Sequence, residues 1–172
     1  MAGSLIKIDE EIVTSAVASV SLLGINSTYD VYMVALTNVI PSTDGGNLQM
    51  RFTESGTPNT SLNYDHAFKF LTSNVAFSNT SQTNQNKFDL SGSIGNATGR
   101  SLSQIQYIYN ANNSSEYSFF TLEQTYFFQG GSNHGMQGGG VFTVSSEADG
   151  VYYFMDTGNI ASGKFSLFGL KK

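Results

Sequence analysis

The 172-residue sequence contains no cysteine and no tryptophan, and it has only two prolines and two histidines. Without cysteine the chain cannot form a disulfide, a thiolate metal site or a cysteine nucleophile. The absence fits a protein that is made in a reducing cytoplasm. A chain of this length buries about 70% of its unfolded surface, so it can build a core without a disulfide or a metal. We therefore expect one domain over residues 1–172.

Charge is also scarce. Charged residues make up 12% of the chain, against about a quarter in an average protein. Eight basic and 13 acidic residues give a formal net charge of −5. The basic residues are scattered along the chain, whereas a phosphate-binding surface needs clustered Lys and Arg. We predict no nucleic-acid partner and no binding to anionic membranes.

Long apolar runs are missing. No stretch approaches the roughly 20 apolar residues of a membrane span. The opening segment, MAGSLIKIDEE, lacks the basic region and the apolar region of a signal peptide. We expect neither membrane insertion nor a secretory leader.

The sequence is rich in short alternating segments. β-branched and aromatic residues alternate with polar ones, and clusters of Gly, Asn, Asp and Ser separate these runs. The pattern predicts about nine to eleven strands in an all-β sandwich or barrel. The segment 12–23 fits either a helix or a strand, and its Ser, Thr and Val residues favour a strand in its second half.

Turn residues predict how these strands connect. The segment 41–46 reads Pro-Ser-Thr-Asp-Gly-Gly, which predicts a hairpin-like pair of the strands at 29–36 and 48–53. Asp149 and Gly150 predict a second hairpin turn. Polar or glycine-rich composition predicts long exposed loops at 72–86, 92–100 and 129–140, and loops of this kind often carry binding residues.

Catalytic signatures are weak. His66 lies in an alternating run with Tyr64 and Phe68, which favours a structural role, and His134 lies in a glycine-rich segment that predicts a mobile loop. No His pair has metal-ligand spacing, and no Gly-x-Ser-x-Gly elbow occurs. A Ser–His–acid triad and a carboxylate pair stay open, since such groups meet only in space. We predict a non-enzyme with no catalytic, metal-binding or cofactor-binding residue, and no cofactor.

Aromatic residues are the remaining candidates for binding. Phe and Tyr together make up 13% of the chain, and alternation assigns most of them to the core. Side chains on the opposite face can form a sugar platform or a subunit contact. The candidate ligand or subunit contacts are Tyr32, Tyr107, Tyr109, Tyr126, Tyr152 and His134. Core packing stays open as the alternative for each tyrosine.

Three segments resemble the β-sandwich or jelly-roll modules of bacteriophage fibre and virion structural proteins, especially those of marine phages. They are YDVYMV followed by PSTDG (29–34 and 41–45), LQMRFTESG (48–56) and the ending IASGKFSLFGL (160–170). A closing Gly-x-Phe-x-Leu-Tyr-Gly pattern recurs in that class, and Phe168 replaces the tyrosine here. The resembling segments carry no catalytic residues.

The resemblance implies an antiparallel, jelly-roll-like β-sandwich in a virion that is assembled in the bacterial cytoplasm. It implies an external capsid decoration or a fibre-like component, with other capsid or tail proteins as partners. Homo-oligomers are also implied, and a trimer is one candidate. The alternative function is a tail-associated module that binds a carbohydrate receptor on the host surface, and a hydrolase of surface glycans is a third.

Overall fold

A computed structural model describes residues 4–73 and 77–171. Within these residues the chain forms thirteen strands and no helix. The strands are β1 (Leu5–Val13), β2 (Ser19–Leu23), β3 (Val31–Pro41), β4 (Leu48–Glu54), β5 (Thr57–Pro58), β6 (Tyr64–Thr72), β7 (Ser78–Gln85), β8 (Phe88–Asp89), β9 (Leu102–Tyr109), β10 (Ser118–Phe127), β11 (Asn133–Phe142), β12 (Gly150–Met155) and β13 (Ile160–Leu170).

The strands form two antiparallel sheets. The larger sheet has the order β1-β13-β3-β9-β10-β11-β6-β7, and the smaller has the order β2-β12-β4-β5, with β8 also paired to β4. The prediction of an all-β antiparallel sandwich is confirmed. The strands outnumber the predicted nine to eleven because β5 and β8 have only two residues each, too few to give an alternating pattern.

The core lies between the sheets and follows from alternation. In β9 and β10 every second residue is buried, and the others face solvent or are partly covered, as expected when successive side chains point to opposite faces. Apolar residues of both sheets join one buried cluster. A polar contact also crosses the core: the hydroxyl of Tyr153 in β12 donates to Gln106 Oε1 in β9 at 2.8 Å.

The predicted hairpins are wrong. β3 belongs to the larger sheet and β4 to the smaller, so the turn at 41–46 carries the chain across the core. The segment at Asp149 also leads from one sheet to the other, because β11 and β12 lie in different sheets. Its carboxylate accepts hydrogen bonds from Thr53 Oγ1 at 2.6 Å and from the Gly56 amide at 2.7 Å. Turn residues mark where a strand ends, but they do not determine which sheet receives the next strand.

Two predicted loops contain strands. Within the range 72–86, β7 (Ser78–Gln85) pairs with β6, while residues 74–76 lie outside the described residues. β7 is an edge strand, so polar side chains suffice for it. Within 129–140, β11 fills the space between β10 and β6. A Cβ on Gly139 would collide with the Phe120 carbonyl oxygen, so glycine lets the neighbouring backbone approach closely. The range 92–100 contains no strand of either sheet.

The ambiguous segment 12–23 contains no helix: it holds the end of β1 and all of β2, joined by a bend at residues 14–18. β1 continues to Val13, and β2 begins at Ser19. The strand predicted for the second half is therefore confirmed. The amide of Leu23 donates to the Asp9 carboxylate at 2.8 Å, which ties β2 to β1 across the sheet boundary.

Candidate contact surface on the eight-stranded sheet

One face of the eight-stranded sheet points away from the core, and we call it the outer face. The pairing register aligns its residues in rows across the strands. One row runs Val31, Tyr109 and Phe119, and the next runs Phe168, Met33 and Tyr107. Residues opposite each other on one face are in side-chain contact range. The rows therefore bring apolar residues from four strands, β13, β3, β9 and β10, side by side.

These rows form an exposed apolar surface. Ile105 is 47% exposed, Tyr107 39% and Phe119 43%. Leu5 and Leu170 are also exposed and lie opposite each other at the edge of the sheet. We define the apolar patch by the exposed Leu5, Ile105, Tyr107, Phe119 and Leu170, with the half-buried Val31, Tyr109 and Phe168 between them. Met33 lies in the same rows but is only 8% exposed. A contiguous exposed surface of this kind marks a protein–protein or ligand contact site.

Polar groups border the patch on the β1 side. Glu10 accepts from Lys164 Nζ at 3.0 Å and from Lys7 Nζ at 3.3 Å, and the Ser166 hydroxyl donates to it at 3.0 Å. The bonds from Lys164 and Ser166 hold the pKa of Glu10 below its usual value. An apolar centre with a polar rim is the usual anatomy of a protein–protein interface.

A hollow lies beside the patch, toward β11. It has a volume of about 530 Å³. Small residues make room for it: Ala35 lines it, and Gly135 in β11 provides no side chain over Thr125, its partner in β10. Ile105, Leu71 and Gln137 line the walls. The outer face therefore has projecting aromatic rings next to a recess.

The structure separates the predicted contact tyrosines. Tyr107 and Tyr109 lie together in the apolar patch. Tyr152 lies on the smaller sheet, where its ring is 5.4 Å from that of Phe154. Tyr32 and Tyr126 are only 2% exposed, which corrects their prediction as surface contacts. Both residues lie on the side of their strand that faces the core, so both rings are part of the buried cluster.

The buried tyrosine hydroxyls have internal partners. Tyr32 donates to the carbonyl oxygen of Asn26 and accepts from the Asn26 amide at 2.8 Å. Tyr126 accepts from the Gly92 amide at 3.2 Å. Burial raises the pKa of Tyr126 to about 12 and also raises the pKa of Tyr32. These tyrosines support loops and are not available to a ligand.

His134 is not a mobile loop residue, because it lies in β11. Its ring stacks on Phe128 with centroids 4.7 Å apart. Nε2 lies 3.0 Å from Ser132 Oγ, and Nδ1 lies 3.2 Å from the Tyr126 hydroxyl. The Ser–His pair therefore has a tyrosine where a hydrolase triad has its carboxylate. Burial lowers the pKa of His134.

His66 occupies the predicted structural position. It is 4% exposed and stacks on Phe68 with ring centroids 5.0 Å apart. Burial lowers its pKa, and its Nδ1 has no hydrogen-bond partner among the described residues. The carboxylates of Asp89 and Asp65 oppose this shift, but burial is the larger effect, so the pKa of His66 lies below its usual value.

Sequence reasoning did not identify Phe119 and Ile105 as contact residues. A usable signal was present at Phe119-Phe120. In a strand two consecutive aromatics must point to opposite faces, so one of the pair is exposed whichever face the core takes. Ile105 gives no comparable signal, because one face of a strand in an alternating run can be read as core as easily as the other.

Comparisons and searches of the described residues add no further site. Among residues 4–73 and 77–171, no group of three His, Asp or Glu residues gathers closely enough to hold a metal ion. The same residues include no helix that is long and apolar enough to span a membrane. Scans against protein-family models, curated proteins and solved structures find no match to this chain.

Proposed function

We propose that this chain is a structural protein of a bacteriophage particle, an external decoration or fibre-like subunit that contacts other copies of itself through the apolar patch. The observation that carries the proposal is the exposure of Ile105, Tyr107 and Phe119 on one continuous sheet face. The assignment to a phage particle rests on the sequence resemblance at 29–45, 48–56 and 160–170.

The area of the outer face fits a second copy as the occupant. Its strands have between eight and eleven residues. Eight strands spaced about 4.8 Å apart and about 27 Å long provide roughly 900 Å² for the whole outer face, and the five strands that carry the patch provide roughly 500 Å² of it. A stable protein–protein interface needs about 800 Å² from each partner. Stacking two such faces would also reproduce the usual packing of sheet on sheet.

The face carries both a projecting ring and a hollow, which a contact between two copies would require. In a contact with twofold symmetry, the same patch faces itself, and each projecting group can enter a recess of the partner. Phe119 projects from one row, and the 530 Å³ hollow lies two rows away on the same face. Two copies can therefore exchange these contacts twice, with the Lys7–Glu10–Lys164 cluster at the rim.

Light scattering of the purified protein tests this contact. We expect a defined oligomer for the wild type and a monomer for Phe119→Asp, because a buried interface carboxylate costs at least about 2 kcal/mol, or 30-fold in the dissociation constant. Leu62→Asp is the matched control, since Leu62 is 65% exposed and lies outside the patch. A monomeric wild type, or equal effects of the two substitutions, would contradict the proposal.

Mass spectrometry of purified particles tests the setting. The phage that encodes this chain should carry it in stoichiometric amounts after extensive washing. If the chain stays in the lysate and is absent from particles, the virion assignment is wrong even when the oligomer exists.

A further inference from the structure

A second concave site lies where the β2–β3 and β9–β10 connections meet at one end of the sandwich. We call it the end pocket. Its volume is about 240 Å³. The lining consists of Asn26, Ser27, Tyr29, Asp30, Asn110, Ala111, Asn112 and Asn113. Pockets for drug-sized ligands have about 300–1,000 Å³, so this one has room for a single small ring.

The loops that form the pocket are held by short hydrogen bonds. The amide of Asn26 donates to the Tyr32 hydroxyl at 2.8 Å, and the amide of Thr28 donates to Asn26 Oδ1 at 2.8 Å. On the opposite wall the Ser115 amide donates to Asn113 Oδ1 at 2.9 Å, and the Ala148 amide donates to the Ala111 carbonyl at 2.7 Å. A preformed wall avoids part of the ordering cost of binding.

Polar groups remain available in these walls. The Ser27 hydroxyl and the Asn110 side-chain amide have no hydrogen-bond partner among the described residues. Amides both donate and accept, so they suit hydroxyl groups, which do the same. No Lys or Arg is among the described residues that line the pocket. With Asp30 as the one charged residue in the lining, an anion is disfavoured.

Tyr29 supplies an aromatic wall in a fixed orientation. Its ring is perpendicular to that of Tyr32, with centroids 5.8 Å apart. It also lies directly over Gly169, where an added Cβ would collide with the ring. Glycine at this position therefore sets the height of the Tyr29 ring above the sheet.

From this combination we infer that the end pocket binds one neutral sugar ring of a glycan. Hydroxyl groups of the sugar would pair with the Ser27 hydroxyl and the Asn110 amide, and its apolar C–H face would pack on Tyr29. A bound cation is the competing occupant, but a single carboxylate is a poor set for Ca²⁺, which takes six to eight oxygen ligands. The site adds ligand recognition to the assembly role and does not depend on it.

Binding to an array of neutral glycans tests the inference, with the methyl glycosides of glucose, galactose and mannose as soluble competitors. Wild-type protein should be retained, and one of these glycosides should compete. Tyr29→Ala should weaken binding about tenfold, whereas Tyr29→Phe should keep it, because the ring supplies the stacking surface. Tyr152→Ala, on the other sheet, is the matched control and should bind normally.

Gly169→Ala tests whether the position of the Tyr29 ring matters for binding. Its added Cβ displaces the ring without removing any polar group from the lining. We expect it to weaken binding as Tyr29→Ala does, with melting curves showing that both variants are folded. The inference is overturned if wild-type protein is not retained by any neutral glycan, or if Tyr29→Ala and Tyr152→Ala behave alike. It is also overturned if calcium binds the pocket and chelation abolishes retention.

Discussion

The hydrogen bond between Tyr153 and Gln106 allows a quantitative test of how the two sheets are joined. Both side chains have no exposed surface. Gln106 Oε1 accepts from the Tyr153 hydroxyl at 2.8 Å and from Gln104 Nε2 at 3.2 Å. Gln106 Nε2 lies 3.1 Å from Met50 Sδ. Removing one partner of such a group leaves a buried donor without an acceptor, which costs about 1–3 kcal/mol.

Three variants form the cycle. Tyr153→Phe should cost about 1 kcal/mol in the free energy of unfolding, because Gln106 keeps its bond from Gln104. Gln106→Leu should lower the free energy of unfolding by about 3 kcal/mol, since it leaves two buried donors, the Tyr153 hydroxyl and Gln104 Nε2, without an acceptor. The double variant should cost only about 2 kcal/mol, because one of those donors is then gone. The expected coupling is therefore about 2 kcal/mol.

Urea unfolding at low protein concentration measures these costs, and unchanged slopes against urea would show that all variants unfold from the same native state. Tyr152→Phe is the control, since the half-exposed Tyr152 lies next to Tyr153 but points away from the core. It should change stability by less than about 0.5 kcal/mol. If the two single costs add within about 0.5 kcal/mol in the double variant, the contact does not join the sheets and the reasoning fails.

Two further predictions concern β11 and the buried histidine. Gly139→Ala should lower the free energy of unfolding by at least about 2 kcal/mol, because its Cβ collides with the Phe120 carbonyl oxygen. Gly135→Ala, whose added Cβ has its nearest atoms at 3.6 Å, should lower it by less than about 1 kcal/mol. Equal losses for the two variants in urea unfolding would refute this. Burial lowers the pKa of His66, so the unfolded chain takes up its proton first and stability should fall as the pH drops below about 6.5. His66→Phe should flatten that slope in urea titrations between about pH 5 and 7.5, and an unchanged slope would rule out His66 as the cause.

The all-β fold class could be predicted from the alternation of apolar and polar residues, because this pattern depends only on the local sequence. In β9 and β10 the buried and exposed residues follow the sequence pattern directly. The pattern failed at β7, whose Ser, Thr and Asn residues need no core contact at a sheet edge, and at β11, whose glycines are needed for close packing between β10 and β6. The residue types in β7 and β11 are explained by the position of each strand in the sheet, which the local sequence does not show.

The local sequence does not show which sheet a strand joins or which distant residues meet in a pocket. The turn at 41–46 looks the same whether the chain reverses into a hairpin or crosses to the other sheet. The end pocket joins Asn26 and Asn112 from distant parts of the chain, so no spacing rule could find it. Of the predicted tyrosines, the structure leaves Tyr107 and Tyr109 together on an open face, because β9 presents both on the same side. An alternating sequence shows that Tyr107 and Tyr109 share a face of β9, but it does not show whether that face is turned to the core or to solvent. Only the packing of the two sheets decides this.

Hydroxyl-radical footprinting at increasing protein concentration tests the apolar patch most directly. If copies of the chain meet through the outer face, oxidation of Phe119, Tyr107 and Ile105 should fall as concentration rises, while oxidation of Leu62, which is exposed outside the patch, should stay constant. Equal labelling of the patch at every concentration, or equal protection of Leu62, would contradict contact through this face.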